Sequence, residues 1–233
     1  MNRLRFFISD FKQLIREPMM LILFLAPILI AGLMRLLYVF LVPLIERYIS
    51  FEIALYDSYI LSMVLLFTPM MLGVVMGFMM LDDKDAKIVE LMSITPLGKS
   101  GYLKNRLSFI MIPSMIYTFI NYYIMQIYII NFITLAYISF ISSLLSIVIG
   151  LVFSSIATDK IKGLTYAKGL NLLIIFAFGD LFKGNSVKYL SSAFPTYWIS
   201  KIIATPNELK LYAYTLIIIM IWLLLFINNI CIW

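Results

Sequence analysis

The sequence has no histidine among its 233 residues. That absence excludes zinc proteases built on H-E-x-x-H, hydrolases that use a Ser–His pair, and haem sites with a histidine ligand. Charge is scarce as well: Asp, Glu, Lys and Arg make up 13% of the chain, against about 25% in a soluble globular domain. A soluble fold of this length could not cover itself with so little polar surface. Cysteine occurs once, at Cys231, so no intrachain disulfide forms and the thiol reads as a small apolar side chain. Lys and Arg outnumber Asp and Glu by 18 to 12, yet they never cluster on a soluble face as nucleic-acid binding requires. A phosphate loop is missing too. Gly98-Lys99-Ser100 copies the end of a Walker A motif, but Ser93 stands where its first glycine belongs. The chain is therefore expected to have no catalytic residues, no ATPase site, no metal and no nucleic-acid partner.

What the chain has is apolar length. Hydrophobic residues supply 63% of it, and mean hydropathy is +1.02. The expected fold is all-α and integral to the lipid bilayer: one domain over 1–233, six transmembrane helices and an N-terminal interfacial helix. Spans are expected at about 19–41, 59–81, 107–129, 133–157, 169–182 and 211–233. The second has 23 residues without a charge, about 35 Å of helix, enough to cross with some tilt. The uncharged stretch Leu107–Thr158 suits two spans joined near Asn131. The fifth span is weak, because Asp180 and Lys183 arrive early. Residues 183–210 read as a re-entrant segment of short helices at the outer face.

Residues 1–17 read as an amphipathic helix on the membrane surface. Leu4, Phe7, Phe11 and Leu14 fall on one stripe, while Arg3, Arg5, Lys12 and Arg16 supply a cationic face. Charge continuing to Glu17 argues against a cleavable signal peptide, and Pro18 suits the first turn of a new helix. With the N-terminus inside, cytoplasmic segments hold twelve Lys/Arg and outer segments five, with Arg35 inside a span. The positive-inside rule then places both termini in the cytoplasm.

The segment 82–106 carries the most charge. Acids precede bases in Asp82–Glu90, which suits a helix start. Ile88, Leu91 and Met92 form a small apolar face, Thr95-Pro96 ends the helix, and a second short helix over Ser100–Arg106 leads into span three. The residues alone leave two readings open: a helix packed on its own bundle, or one docked into a cytoplasmic partner. Within the spans, Gly73 and Gly77, and Ser146, Gly150 and Ser154, are small-residue faces read as helix packing inside one chain. Arg35 is costly in hydrocarbon and is expected to reach the outer headgroups or an outer acid such as Asp57. Asp180 lies near the outer end of its span in the same way.

Several elements in order resemble a known family. They are Leu14-Ile15-Arg16-Glu17-Pro18 before span one, Lys87 to Leu97 after span two, Gly101-Tyr102-Leu103-Lys104-Asn105-Arg106, and Phe194-Pro195-Thr196-Tyr197-Trp198 after span five. Together they resemble the permease subunit of type-2 ABC exporters, in particular small bacterial drug (fluoroquinolone-type) export permeases, over essentially the whole chain. The resemblance implies a bacterial plasma-membrane protein that forms the substrate pathway with a second permease, identical or related. It implies a separate ABC ATPase subunit that holds ATP and Mg, with no cofactor in this chain. It also implies that 82–106 is a coupling segment, with Ile88, Glu90, Leu91, Thr95, Pro96 and Leu97 at the ATPase contact and the N-terminal helix beside it. Arg35 has no place in that pattern. The alternative reading is a small non-ABC channel or a membrane scaffold.

Overall fold

A computed structural model describes residues 3–48, 52–94, 98–182 and 184–231. Ten helices follow one another in that range: α1 (Arg3–Arg16), α2 (Pro18–Tyr48), α3 (Asp57–Asp85), α4 (Ile88–Ser93), α5 (Gly98–Met125), α6 (Phe132–Ile156), α7 (Lys160–Asn171), α8 (Asn185–Ser192), α9 (Pro195–Ala204) and α10 (Leu209–Cys231). Tighter 3-10 turns lie at Ile53–Tyr56 and Leu172–Leu181, and no strand occurs among the described residues. Six elements are long and apolar enough to cross a bilayer: α2, α3, α5, α6, α7 continued to Leu181, and α10.

Several boundaries differ from those expected of the sequence. Helix α2 continues seven residues past Leu41, to Tyr48. Loss of hydropathy does not end a helix, and Glu46 and Arg47 are good helix formers. The basic connection after α6 is itself a helix start, because the Asp159 carboxylate accepts the Lys162 backbone N–H at 2.8 Å. That N-cap moves the fifth span from residue 169 back to Lys160. Residues 100–106 are not a separate helix but the first turns of α5. The chain turns at Gly98, where φ is +62°, and nothing beyond it breaks the helix. Likewise Asp82–Asp85 closes α3 rather than opening the next helix. The left-handed Lys87, with φ 53°, then sets α4 off from α3.

Helices α3 and α6 form the centre, with 89% and 78% of their apolar windows buried. Small residues let them meet closely. A Cβ on Gly73 would fall 2.6 Å from Ile149 Cβ and 2.7 Å from the Ser146 carbonyl oxygen. One on Gly77 would fall 2.2 Å from the Phe153 ring, and one on Gly150 2.8 Å from Met76 Sδ. The hydroxyls of Ser143, Ser146 and Ser154 bond back to carbonyls three residues earlier, so these polar atoms of α6 are satisfied within the helix. Around this centre α2, α5 and α10 leave apolar side chains facing outward, as lipid-contacting helices do. Helix α9 folds back onto α3, α10 and the 172–181 turns. The Thr196 hydroxyl donates to the Leu173 carbonyl at 2.9 Å, and the Phe176 and Phe194 rings stack at 4.0 Å.

Candidate functional site

Where α3 ends and α5 begins, a cluster of charged side chains is enclosed in protein. Arg106 is 5% exposed and Asp83 is 1% exposed. Arg106 Nε donates to Asp83 Oδ2 at 2.7 Å and Nη2 donates to the same oxygen. The Tyr102 hydroxyl, one helical turn earlier on α5, donates to that oxygen too, at 2.6 Å. The far side of the guanidinium meets α1: Nη2 donates to Gln13 Oε1 at 2.8 Å and Nη1 lies 2.9 Å from Asp10 Oδ1. One arginine therefore ties α1, α3 and α5 together. Asp83 is an acid in the last turn of a helix, against the macrodipole. These three donors are what hold it there.

A second junction lies beside the first. Lys160 Nζ, at the start of α7, sits 2.8 Å from Glu17 Oε1 and 2.8 Å from Asp82 Oδ1. The consecutive acids Asp82 and Asp83 thus serve different partners, α7 and α5. The α1–α2 joint, the end of α3 and the start of α7 form one connected layer.

The charges of the first cluster do not balance, since two carboxylates share one guanidinium. Burial pushes the Asp10 carboxyl up to about 6, Arg106 opposes the rise and Asp83 adds to it. Next to these groups lies a cavity of about 160 Å³, bordered by Asp10 and Gln13, by Ile88 and Met92 of α4, and by Tyr102 and Asn105. Ile88 is turned partly inward against this cavity. Leu91 and Ile94 face outward, 59% and 84% exposed, and Glu90 is exposed as well. Of the expected apolar face Ile88, Leu91 and Met92, Leu91 alone is exposed, joined by Ile94 just after α4, while Ile88 and Met92 border the cavity. Thr95, Pro96 and Leu97 lie outside the described residues.

The N-terminal helix has a docked edge that its apolar stripe only partly foretells. Leu14 is fully buried, and the Phe7 ring meets Phe109 edge-on at 5.0 Å, whereas Phe11 and Arg16 are exposed. Asp10 shares the docked edge with Leu14. Sequence reasoning missed it, along with Tyr102, Asp83 and Arg106 as a cluster. The signal was present: Asp10 stands three residues after Phe7 and four before Leu14, a charge inside the apolar stripe.

Two groups sit at the opposite end of the bundle. Arg35 does not pair with Asp57. Its Nη1 donates to the Met125 carbonyl at 2.7 Å, one of the carbonyls a helix leaves open at its C-terminus. Asp57 instead accepts from the Tyr38 hydroxyl at 2.7 Å. Asp180 accepts from the Tyr197 hydroxyl at 2.9 Å, with Lys188 and Lys201 at 3.8 and 3.9 Å.

Residues 10–230 match the family described as "Fluoroquinolones export permease protein Rv2686c-like". Two similar proteins of Mycobacterium tuberculosis are the fluoroquinolones export permease protein Rv2686c of strain ATCC 25618 / H37Rv and its counterpart MT2760 of strain CDC 1551 / Oshkosh. Each is 25% identical over 196 residues, 83% of this chain and 78% of the relative. No solved structure matches. The match runs from the docked N-terminal helix, through the first five spans, into the sixth, α10, and the chain belongs to this Rv2686c-like family of multi-pass export permeases.

Proposed function

We propose that this permease is the membrane-spanning subunit of an ATP-driven ABC exporter, working as a pair of permeases coupled to separate ATPase subunits that bind ATP and Mg. The observation that carries this reading is α4. It is a six-residue helix between two spans, entered through the left-handed Lys87, with Leu91 on it and Ile94 just after it turned away from the bundle. A plain connection between spans would not present two large apolar side chains outward. Behind α4 lies the layer in which the buried Arg106 cluster ties α1, α3 and α5 and the half-exposed Lys160 pairs add α7. A push on α4 therefore meets four helices that move together.

In this mechanism ATP closes the two ATPase subunits, and α4 transmits the closure to α3 and α5. The paired bundles rock between inward- and outward-open arrangements. The ligand that biases the two states binds the partner, not this chain. The Lys/Arg distribution supports placing the α1–α4 end, and both termini, in the cytoplasm of a bacterium. What the relatives are named for makes fluoroquinolone-like drugs the first substrates to test. The experiment is affinity purification of the tagged permease from native membranes. A stoichiometric ATPase subunit in the eluate supports the reading; a pure permease, with no ATPase even after mild cross-linking, removes it.

A further inference from the structure

We propose that the cavity between α1, α4 and α5 is a socket for one lysine or arginine side chain of the ATPase subunit. The proposal rests on the ABC reading above. The cavity is bordered by Asp10, Asp83 and Arg106, two negative charges and one positive, with the Asp83 side chain 1% and the Asp10 side chain 12% exposed. A buried carboxylate with too little compensation is costly, and a cation brought from outside relieves it. Burial, with Asp83 adding to it and Arg106 opposing it, pushes the Asp10 carboxyl up to about 6, in line with that cost.

Size and position agree with charge. A space of about 160 Å³ is roughly that of five water molecules, room for the head of one long basic side chain but not for a helix. Its α4 wall is Ile88 and Met92, while Leu91 on the same helix faces outward and Ile94 follows it. A partner seated on Leu91 and Ile94 therefore lies beside the mouth of the cavity. Tyr102 and Asn105 border it as well, an aromatic ring and an amide suited to the stem and head of such a side chain. An acid from the partner is excluded by Asp10 and Asp83, and an apolar side chain would leave Asp10 without its second cation.

The test uses the full-length permease in nanodiscs together with the ATPase subunit that co-purifies with it. Asp10→Asn keeps the shape and removes one charge, and it is expected to weaken ATPase binding roughly tenfold. The isolated variant should melt no lower than wild type, because a poorly compensated carboxylate has been neutralised. Unchanged affinity would overturn the proposal. A photo-cross-linker carried by Ser9→Cys, at the exposed rim, maps the occupant without altering Asp10, and so decides the matter even if Asp10→Asn folds poorly. Capture of an ATPase peptide containing Lys or Arg at the linked position supports the socket. Capture of a peptide without a basic residue, capture of a lipid amine, or no capture while the ATPase still co-purifies overturns the socket and leaves the ABC reading standing. Absence of any co-purifying ATPase with the wild-type permease removes both.

Discussion

Arg106 Nη1 on α5 and Asp10 Oδ1 on α1 lie 2.9 Å apart, joining residues 96 positions apart in sequence at the edge of the bundle. This contact decides what kind of helix α1 is. A helix that merely floats in the headgroup layer needs no buried charge. Helix α1 has one edge docked through Asp10 and Leu14 and another, with Ile8, Phe11 and Ile15, left exposed for lipid. Arg106 ties it to α3 and α5.

Removal of the guanidinium should damage folding more than any function-specific change. Arg106→Met leaves Asp83 buried against Tyr102 without a cation, and breaking a buried pair from one side costs about 3–5 kcal/mol. The expected outcome is low yield and a lower melting temperature in detergent. Adding Asp83→Asn to that variant removes the stranded charge and should recover most of the loss. A single variant as stable as wild type would show that the pair contributes little.

The docking of α1 should depend on pH through Asp10. Its carboxyl has an ordinary value of 3.8 and is raised to about 6 in the fold, so the protonated form is favoured when α1 is docked. That contribution is fully present below about 3.8 and is lost as pH rises through about 6. The groups facing Asp10 are Arg106, which opposes the rise, and Asp83, which adds to it. Hydrogen exchange of the α1 amides should be slower at pH 5 than at pH 7.5 after correction for intrinsic rates. In Asp10→Asn that difference should shrink; an equal difference in both proteins would contradict the assignment.

The α3–α6 seam should be intolerant of a single methyl group. Gly77→Ala would set a Cβ 2.2 Å from the Phe153 ring, and overpacking of this kind costs about 1–3 kcal/mol. Gly32→Ala on α2 meets nothing within 4 Å and should be neutral or stabilising, since alanine is the better helix former. Monodispersity and melting temperature of the two variants check the contrast. A Gly77→Ala protein that folds normally but changes oligomeric state would place the glycines at a seam between chains.

The fold was largely legible in the sequence, and the site only in part. Hydropathy over uncharged runs such as 59–81 located the spans, because lipid requires every backbone polar group to bond within its own helix. The start of α2 at Pro18 was legible, but other helix ends were not, because they depend on single side-chain bonds such as Asp159 to the Lys162 N–H, or on Gly98 entering the left-handed region. The small-residue faces around Gly73 and Gly150 could be seen, but not that they meet each other. The buried cluster escaped because Arg106 was counted among surface charges orienting the chain and Asp83 among acids opening a helix. Both assignments follow from local rules that tertiary pairing overrides. The bond made by Arg35 was hidden for the same reason: in place of the acid Asp57 it meets a backbone carbonyl 90 residues away, and a carbonyl leaves no trace in side-chain chemistry.

Orientation is checked by labelling. In a Cys231→Ser background, Ser100→Cys at the exposed start of α5 should react with a membrane-impermeant maleimide only after cells are opened. Asn207→Cys, exposed between α9 and α10, should react in intact cells. The reverse pattern would invert the proposed topology.

The most direct measurement is co-purification of the ATPase subunit with the double variant Leu91→Asp, Ile94→Asp. Both side chains point away from the bundle, so expression and monodispersity should stay close to wild type. Burial of each against a partner is worth about 1.5–3 kcal/mol, and two desolvated carboxylates add to the penalty. A loss of about 4 kcal/mol weakens association roughly a thousandfold. The account predicts a normally inserted permease that no longer retains the ATPase and no longer exports; undiminished retention of the ATPase by a well-folded double variant would contradict it.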